Sequence, residues 1–344
     1  MKDVKYLLAY TIPLSCWVAL SLKGWFSYTT VVYAFGLIPM LELVFSSKES
    51  SYSEEQKHKR LVNVVFDMLL YLNLPLVFAT LFYGLYTLLY FNLEVYEQIG
   101  IVFSVGIVLG TNGINVAHEL GHRLSKSEQF LAKVLLMPSL YMHFFIEHNL
   151  GHHKNVGTPG DPATARRDQS VYGFWLTSII GQWISAYKIQ KQQLEINGHR
   201  FWSLHNELLV FVVVQSLYVY AIYVWFGAFG AAYALAFALV AVLLLETINY
   251  IEHYGLVREL KASRYERVTP AHSWNSNHVI GRMVLYELTR HSDHHHRASK
   301  KYQVLESIDE SPQLPFGYTT SMVIAMVPPV WFALMNKRLN RIQM

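Results

Sequence analysis

Only one cysteine, Cys16, occurs in 344 residues, which excludes an intramolecular disulfide and an all-cysteine iron site on this chain. Charge is scarce as well. Charged residues make up 15% of the chain against 53% hydrophobic ones, and the mean hydropathy is positive, a balance too apolar for an ordinary soluble protein. There is no GxGxxG, so a built-in nucleotide-binding domain is not expected. Internal repeats, low-complexity tracts and long linkers are also lacking, and one domain over residues 1–344 accounts for the sequence. The charged run at 54–60 reads as a solvated loop.

What the chain has instead is long apolar runs. Residues 6–22, 27–46, 64–90, 98–117, 208–226 and 229–250 are each long enough to cross a bilayer, which predicts an all-α integral membrane protein with six transmembrane helices. Lys2 and Lys5 before the first run resemble a signal peptide's charged start, yet no small-residue cleavage site follows, so an uncleaved first helix is expected. With the N-terminus in the cytoplasm, Lys23 is the one residue of the 28 Lys and Arg left outside, in keeping with the positive-inside rule. The stretches 130–146 and 171–187 are apolar but basic on both flanks, and they read as cytoplasmic cap helices. The tail at 316–335 is interrupted by Pro328 and Pro329, and crossing would export Lys337, Arg338 and Arg341, so it is expected not to span.

Histidine is abundant, at 16 residues. Nine fall into His118-x3-His122, His148-x3-His152-His153, a lone His253, and His291-x2-His294-His295. Spacings of three and four residues stack imidazoles on one helix face, close enough to share a metal ion. His118-Glu119-Leu120-Gly121-His122 fits HExxH, the motif of zinc proteases, but that reading leaves seven patterned histidines without a role. Nine imidazoles exceed one tetrahedral zinc and suit two adjacent metals with four or five nitrogens each. Ligand type alone selects none among iron, zinc and copper. A metal transporter would need ligands along a path through the spans, whereas the predicted topology gathers these at one face.

Each cluster also carries an acid, Glu119, Glu147, Glu252 or Asp293, that could orient a ligating imidazole or simply lie on a surface. His143, His272, His278 and His296 read as hydrogen-bonded structural histidines, and His58, His199 and His205 as surface ones.

The segments at 118–123, 145–154, 249–256 and 288–295 resemble, in order and spacing, those of the membrane alkane monooxygenases, part of the wider group of histidine-rich membrane diiron desaturases and hydroxylases. The segments Asp161-Pro-Ala-Thr164, 272–278 and Tyr302-Gln303 are similar too, so the resemblance runs from about Leu37 into the tail. HExxH alone is common; the four-part set is specific for the diiron group. The segments at 249–256 and 272–278 point to alkane or aryl-methyl hydroxylases over desaturases.

The resemblance implies two non-haem irons held by His118, His122, His148, His152, His153, His253, His291, His294 and His295. It also implies insertion of one oxygen atom from O2 into a terminal methyl group, with no catalytic residue assigned beyond those ligands. Thr289 stands where the family often has glutamine, and His296 where a small residue is usual; neither removes a ligand.

Activating a methyl C–H bond exceeds side-chain acid–base chemistry, so the metal centre must activate O2; with no site for flavin, nicotinamide or an iron–sulfur cluster in the sequence, the two electrons of each turnover must arrive from another protein. The resemblance implies a rubredoxin-like carrier and its NAD(P)H-dependent reductase. Arg258, Lys261, Arg264, Arg267, Arg297, Lys300 and Lys301 would suit an acidic carrier, although the positive-inside rule alone explains such a face. An apolar substrate is expected to arrive from the bilayer and lie among the spans, with Ala34, Leu37, Ile38 and Leu41 of the second span as one wall. A xylene-type methyl hydroxylase or another membrane diiron lipid hydroxylase or desaturase is the nearest alternative.

Overall fold

A computed structural model describes residues 2–45 and 51–342; the expected last residue of the second span, at position 46, lies outside them. The described residues are mostly helical, with one two-residue antiparallel ladder, Leu260 against Tyr265 and Lys261 against Arg264. Among the described residues, five helices are long and apolar enough to cross a membrane: α1 (Val4–Leu22), α2 (Gly24–Val44), α3 (Val65–Tyr90), α4 (Val95–Gly121) and the 47-residue α7 (Glu207–His253). Helix α5 (Lys126–Leu136) and α6 (Val171–Ile196) lie between them.

Two of the expected runs share α7. Gly227, at φ 69° and ψ −173°, breaks it into two arms, a conformation that glycine adopts without the Cβ penalty. Beyond the break, a Cβ on Gly230 would lie 3.4 Å from Leu89, and Tyr233 donates to Gln98 (2.7 Å). The turn therefore sits beside the α3–α4 connection, and both ends of α7 return to the opposite end of the bundle.

Close approach between helices rests on small residues, as is usual where lipid removes the hydrophobic drive for helix pairing. A Cβ on Gly106 of α4 would lie 2.5 Å from that of Val240 on α7. Ser104 donates to the Ser27 carbonyl (2.8 Å), fixing α4 against α2. Caps set the ends: Ser170 accepts from Gly173 N (3.2 Å) at the start of α6, and Asn206 from Leu209 N (3.2 Å) at the start of α7.

Among the described residues, three π-helical turns interrupt the regular pattern: Tyr33–Leu37 in α2, Leu109–Ile114 in α4, and His148–His152. Each inserted residue rotates the following face by about 100°, so what faces the bundle axis after the insertion differs from what a 3.6-residue period predicts.

The expected stretch 171–187 lies within α6, which extends to Ile196, but 130–146 is not one helix: α5 ends at Leu136, and a 3-10 turn at Met137–Ser139 with a left-handed Leu140 separates it from a short helix at Phe144–Glu147. The tail is two short helices, α9 (Tyr318–Ala325) and α10 (Pro328–Ile342), with α8 (His291–His296) preceding them. Pro328 opens α10, where its missing N–H costs nothing. Trp331, Met335 and Leu339 of α10 are fully buried, and Trp331 packs on Tyr250 and Tyr254.

Candidate metal centre

All nine patterned histidines converge at the end of the bundle away from Gly227, and they divide into two groups. His118, His122, His148, His153 and His294 form one; His152, His253, His291 and His295 form the other, with the potential ligand atoms of each within 4.8 Å of one another. Neither group contains a carboxylate.

Nε2 atoms approach at 3.1 Å (His148–His122), 3.0 Å (His153–His148) and 3.2 Å (His294–His153) in the first group. In the second they approach at 3.1 Å (His253–His291) and 2.9 Å (His295–His291). Metal–imidazole bonds of about 2.0–2.1 Å at right angles place cis nitrogens about 3 Å apart, whereas tetrahedral angles would place them near 3.4 Å. The observed spacing brings several imidazole nitrogens of each group within reach of one ion. The buried Nε2 atoms of His118 and His152 have no hydrogen-bond partner, a cost of about 1–3 kcal/mol each if they met nothing. The residues present thus fit two adjacent metal ions.

Each His-His dipeptide serves both groups. His152 and His295 belong to one, their neighbours His153 and His294 to the other. Consecutive helical side chains diverge by about 100°, so a pair cannot close on one ion and instead straddles two. The His153 and His295 rings stack at 4.4 Å across the boundary.

Electrostatics favour the ligating form. Burial, reinforced by neighbouring imidazoles, holds His148, His153, His291, His294 and His295 well below the usual imidazole range, keeping them neutral. His152 differs. Burial pushes it down too, but the charge and hydrogen bond of Asp161, with Glu147 and Glu246 beyond it, together outweigh burial and leave it raised.

His152 Nδ1 donates to Asp161 Oδ2 (2.9 Å), which turns Nε2 toward its group. His253 Nδ1 similarly donates to the His272 carbonyl (3.3 Å).

The four cluster acids have different employments. Glu119 accepts from Arg123 (3.0 Å) and Tyr302 N (3.1 Å); the glutamate of HExxH thus binds an arginine and a backbone amide. Asp293 holds Lys300 (2.6 Å) and Glu306 N (2.7 Å), and Glu147 accepts from Ser185 (3.0 Å). Of the four, Glu252 is the one within ion-pair distance of a cluster histidine: its Oε2 lies 3.2 Å from His291 Nε2, while Oε1 accepts from Tyr318 (2.9 Å). Sequence reasoning missed the roles of Asp161 and Tyr318; the motif containing Asp161 was the only signal for it.

Of the histidines read as structural, His272 binds Thr269 and Glu266, and His278 binds Ser276. His296 is exposed. His143 departs from expectation, because neither ring nitrogen has a hydrogen-bond partner; the buried ring stacks on Trp183 at 4.0 Å instead.

The basic face is partly neutralised. Lys301 pairs with Asp67, Lys261 with Glu266 and Lys300 with Asp293, and the Arg258 guanidinium binds the carbonyls of Lys154 and Val156. Arg264, Arg267 and Arg297 are exposed.

An apolar cavity with about 850 Å³ of empty space, counting its open part, adjoins the centre and is faced by His118, His148 and His291. Ala34 and Ile38 of α2, Ile107 of α4 and Leu244 of α7 line it. The wall expected from α2 is therefore half right: Leu37 is 43% exposed, and neither it nor Leu41 lines the cavity, because the π turn at Tyr33–Leu37 shifts the inward face.

A histidine-rich metal site closing one end of a bundle of apolar helices defines a membrane metalloenzyme class distinct from the soluble zinc proteases. Residues 97–323 match the fatty acid desaturase family. The chain is 38% identical to alkane 1-monooxygenase 2 of Alcanivorax borkumensis over 92% of this chain and 83% of that protein. It is 37% identical to alkane 1-monooxygenase 1 of Pseudomonas aeruginosa, over 97% and 89% respectively. Identity to the hydroxylase component of xylene/toluene monooxygenase of Pseudomonas putida is 30%, over 79% and 73%. The chain belongs to the alkane 1-monooxygenase family.

Proposed function

We propose that the protein hydroxylates the terminal methyl group of alkanes to primary alcohols, using O2 and two non-haem irons held by the nine histidines. The observation that carries this reading is the pair of all-histidine groups facing an apolar cavity. The bound irons would supply the O2 activation that C–H cleavage requires.

The chain's own residues do the rest. Ala34, Ile38, Ile107 and Leu244 offer a saturated chain only dispersion contacts and exclude water. Asp161 and the His272 carbonyl fix the direction of the His152 and His253 rings. One oxygen atom enters the product and the other leaves as water, so each turnover consumes two electrons and two protons.

Those electrons come from an external donor, in our reading a rubredoxin-like carrier with an NAD(P)H-dependent reductase. Lys261, Arg264, Arg267 and Arg297 are the exposed cations of the expected docking face.

Counting the two arms of α7 separately gives six crossings in one domain. The lysine and arginine asymmetry then supports residence in the cell inner membrane with the histidines on the cytoplasmic side, capped by α5 and α6.

Feeding whole cells that carry the gene a panel of alkanes, alkyl aromatics and fatty acids, with products identified by gas chromatography, tests the reading. Primary alcohols from alkanes support it. Benzylic alcohols alone would favour the xylene-type alternative, which the 30% relative motivates. Stoichiometric zinc with full activity in iron-free protein would sink the iron assignment.

A further inference from the structure

A second apolar cavity, with about 840 Å³ of empty space counting its open part, lies beside the first. Four side chains, Phe35, Ile107, Leu244 and Met322, line both. They form a one-residue-thick partition between the space that reaches the histidines and a space that does not.

The outer lip of the second cavity is open. Phe103 on α4 is 45% exposed and Val323 on α9 46%, and the walls from α2, α4 and α7 belong to helices apolar enough to cross a membrane. Its far rim is tied shut by two polar contacts from α6: Tyr172 donates to the Met326 carbonyl (2.7 Å), and Trp175 donates to Thr247 (3.1 Å). The vestibule therefore opens sideways, between α4 and α9, and is roofed by α6.

Resting on the proposed function, we propose that this vestibule is the entry portal for the alkane, which leaves the bilayer between α4 and α9 and passes between Phe35 and Met322 into the catalytic cavity. The partition is built to yield. Met322 is unbranched, with rotatable bonds that let it swing without backbone movement. Phe35 sits in the π turn of α2, where the hydrogen-bond pattern is already non-ideal. Met322 also shares its short helix with Tyr318, whose hydroxyl binds Glu252 beside His291. The movable wall and the metal centre are thus joined by one element of eight residues.

Two experiments decide it. Val323→Trp fills the vestibule without touching the catalytic cavity, and Leu217→Trp places the same ring at a lipid-facing site elsewhere, 61% exposed. Val323→Trp should lower kcat/KM for decane about tenfold, leaving kcat at saturation and bound iron near wild type; Leu217→Trp should change none of these.

The second experiment needs no turnover. The wild-type protein in phosphatidylcholine vesicles is irradiated with a diazirine-bearing decane and mapped by mass spectrometry. Crosslinks at Val323, Phe103 or Met326 that excess decane suppresses support the portal. Absence of such crosslinks, crosslinks that excess decane leaves intact, or a wild-type decane profile in a well-folded Val323→Trp protein overturns it. If no alkane yields an alcohol, the proposed function fails, while the crosslinking result still judges the portal.

Discussion

Asp161 Oδ2 accepts from His152 Nδ1 at 2.9 Å, and its other contacts, from Thr164 and the Ala163 amide, leave it little freedom to turn. A carboxylate in that position fixes both the tautomer and the aim of the imidazole. Asp161→Asn should therefore weaken metal retention about 10–100-fold, read as iron remaining after graded chelator, with the helical content by circular dichroism unchanged. Glu287 does comparable work on the backbone. Tyr286 and Glu287 both have positive φ, 51° and 59°, an uncommon turn for side-chain-bearing residues, and it leads the chain into His291. Lys5, Tyr6 and Arg282 grip the Glu287 carboxylate at 3.0, 2.7 and 2.7 Å. Burial alone would raise its pKa, but Arg290, Arg282 and Lys5 outweigh burial and pull it down to about 2. A depressed carboxylate stabilises the fold above its unfolded pKa, near 4.3, and loses that contribution as pH falls toward 2. Glu287→Gln should cost about 3 kcal/mol at pH 7 by leaving buried arginines short of a partner. The gap between variant and wild type in denaturant unfolding should narrow steadily below pH 5.

Helices and turns explain both what the sequence made legible and what it hid. The histidine spacings announced the site because a ligand set within one helix obeys a short period; His118 and His122, or His291 and His295, need no tertiary information to be paired. The allocation of ligands between two groups was less visible, although the His-His dipeptides carried it in the divergence of consecutive side chains. Asp161 and Tyr318 were hidden because their partners lie 9 and 66 residues away on other elements. The π turns were hidden for a different reason: they change the phase of a helix without changing its composition, so Leu37 read as a cavity wall and faces outward. Ala34 survives that shift, being 4% exposed and in the cavity lining. Ala34→Trp should fill part of the channel and move the preference toward shorter alkanes, with bound iron unchanged, in a chain-length profile measured by gas chromatography. An unaltered profile at normal expression would assign Ala34 to helix packing.

The whole molecule has two unlike ends. At one lie the Gly227 break, the short connection between α3 and α4, and Gly24, whose amide donates to Glu97 (2.5 Å); Glu97 also accepts from Glu94 N (2.8 Å). One buried carboxylate thus ties the α1–α2 and α3–α4 turns together, and Lys23, the cation nearest them, lies over the Phe91 ring at 3.6 Å. At the other end gather the histidines, their buried ion pairs and the exposed Arg264, Arg267 and Arg297. The orientation we propose follows the lysine and arginine asymmetry and would turn the histidines toward the compartment that holds NAD(P)H. Introduced cysteines report this directly, since Cys16 is buried. Trp25→Cys, at a position 80% exposed, should react with a membrane-impermeant maleimide in intact cells. Lys59→Cys, at a side chain 72% exposed, should react only after permeabilisation. Reversed labelling would put the histidines outside, away from any cytoplasmic reductant, and would refute both the orientation and the electron supply that depends on it.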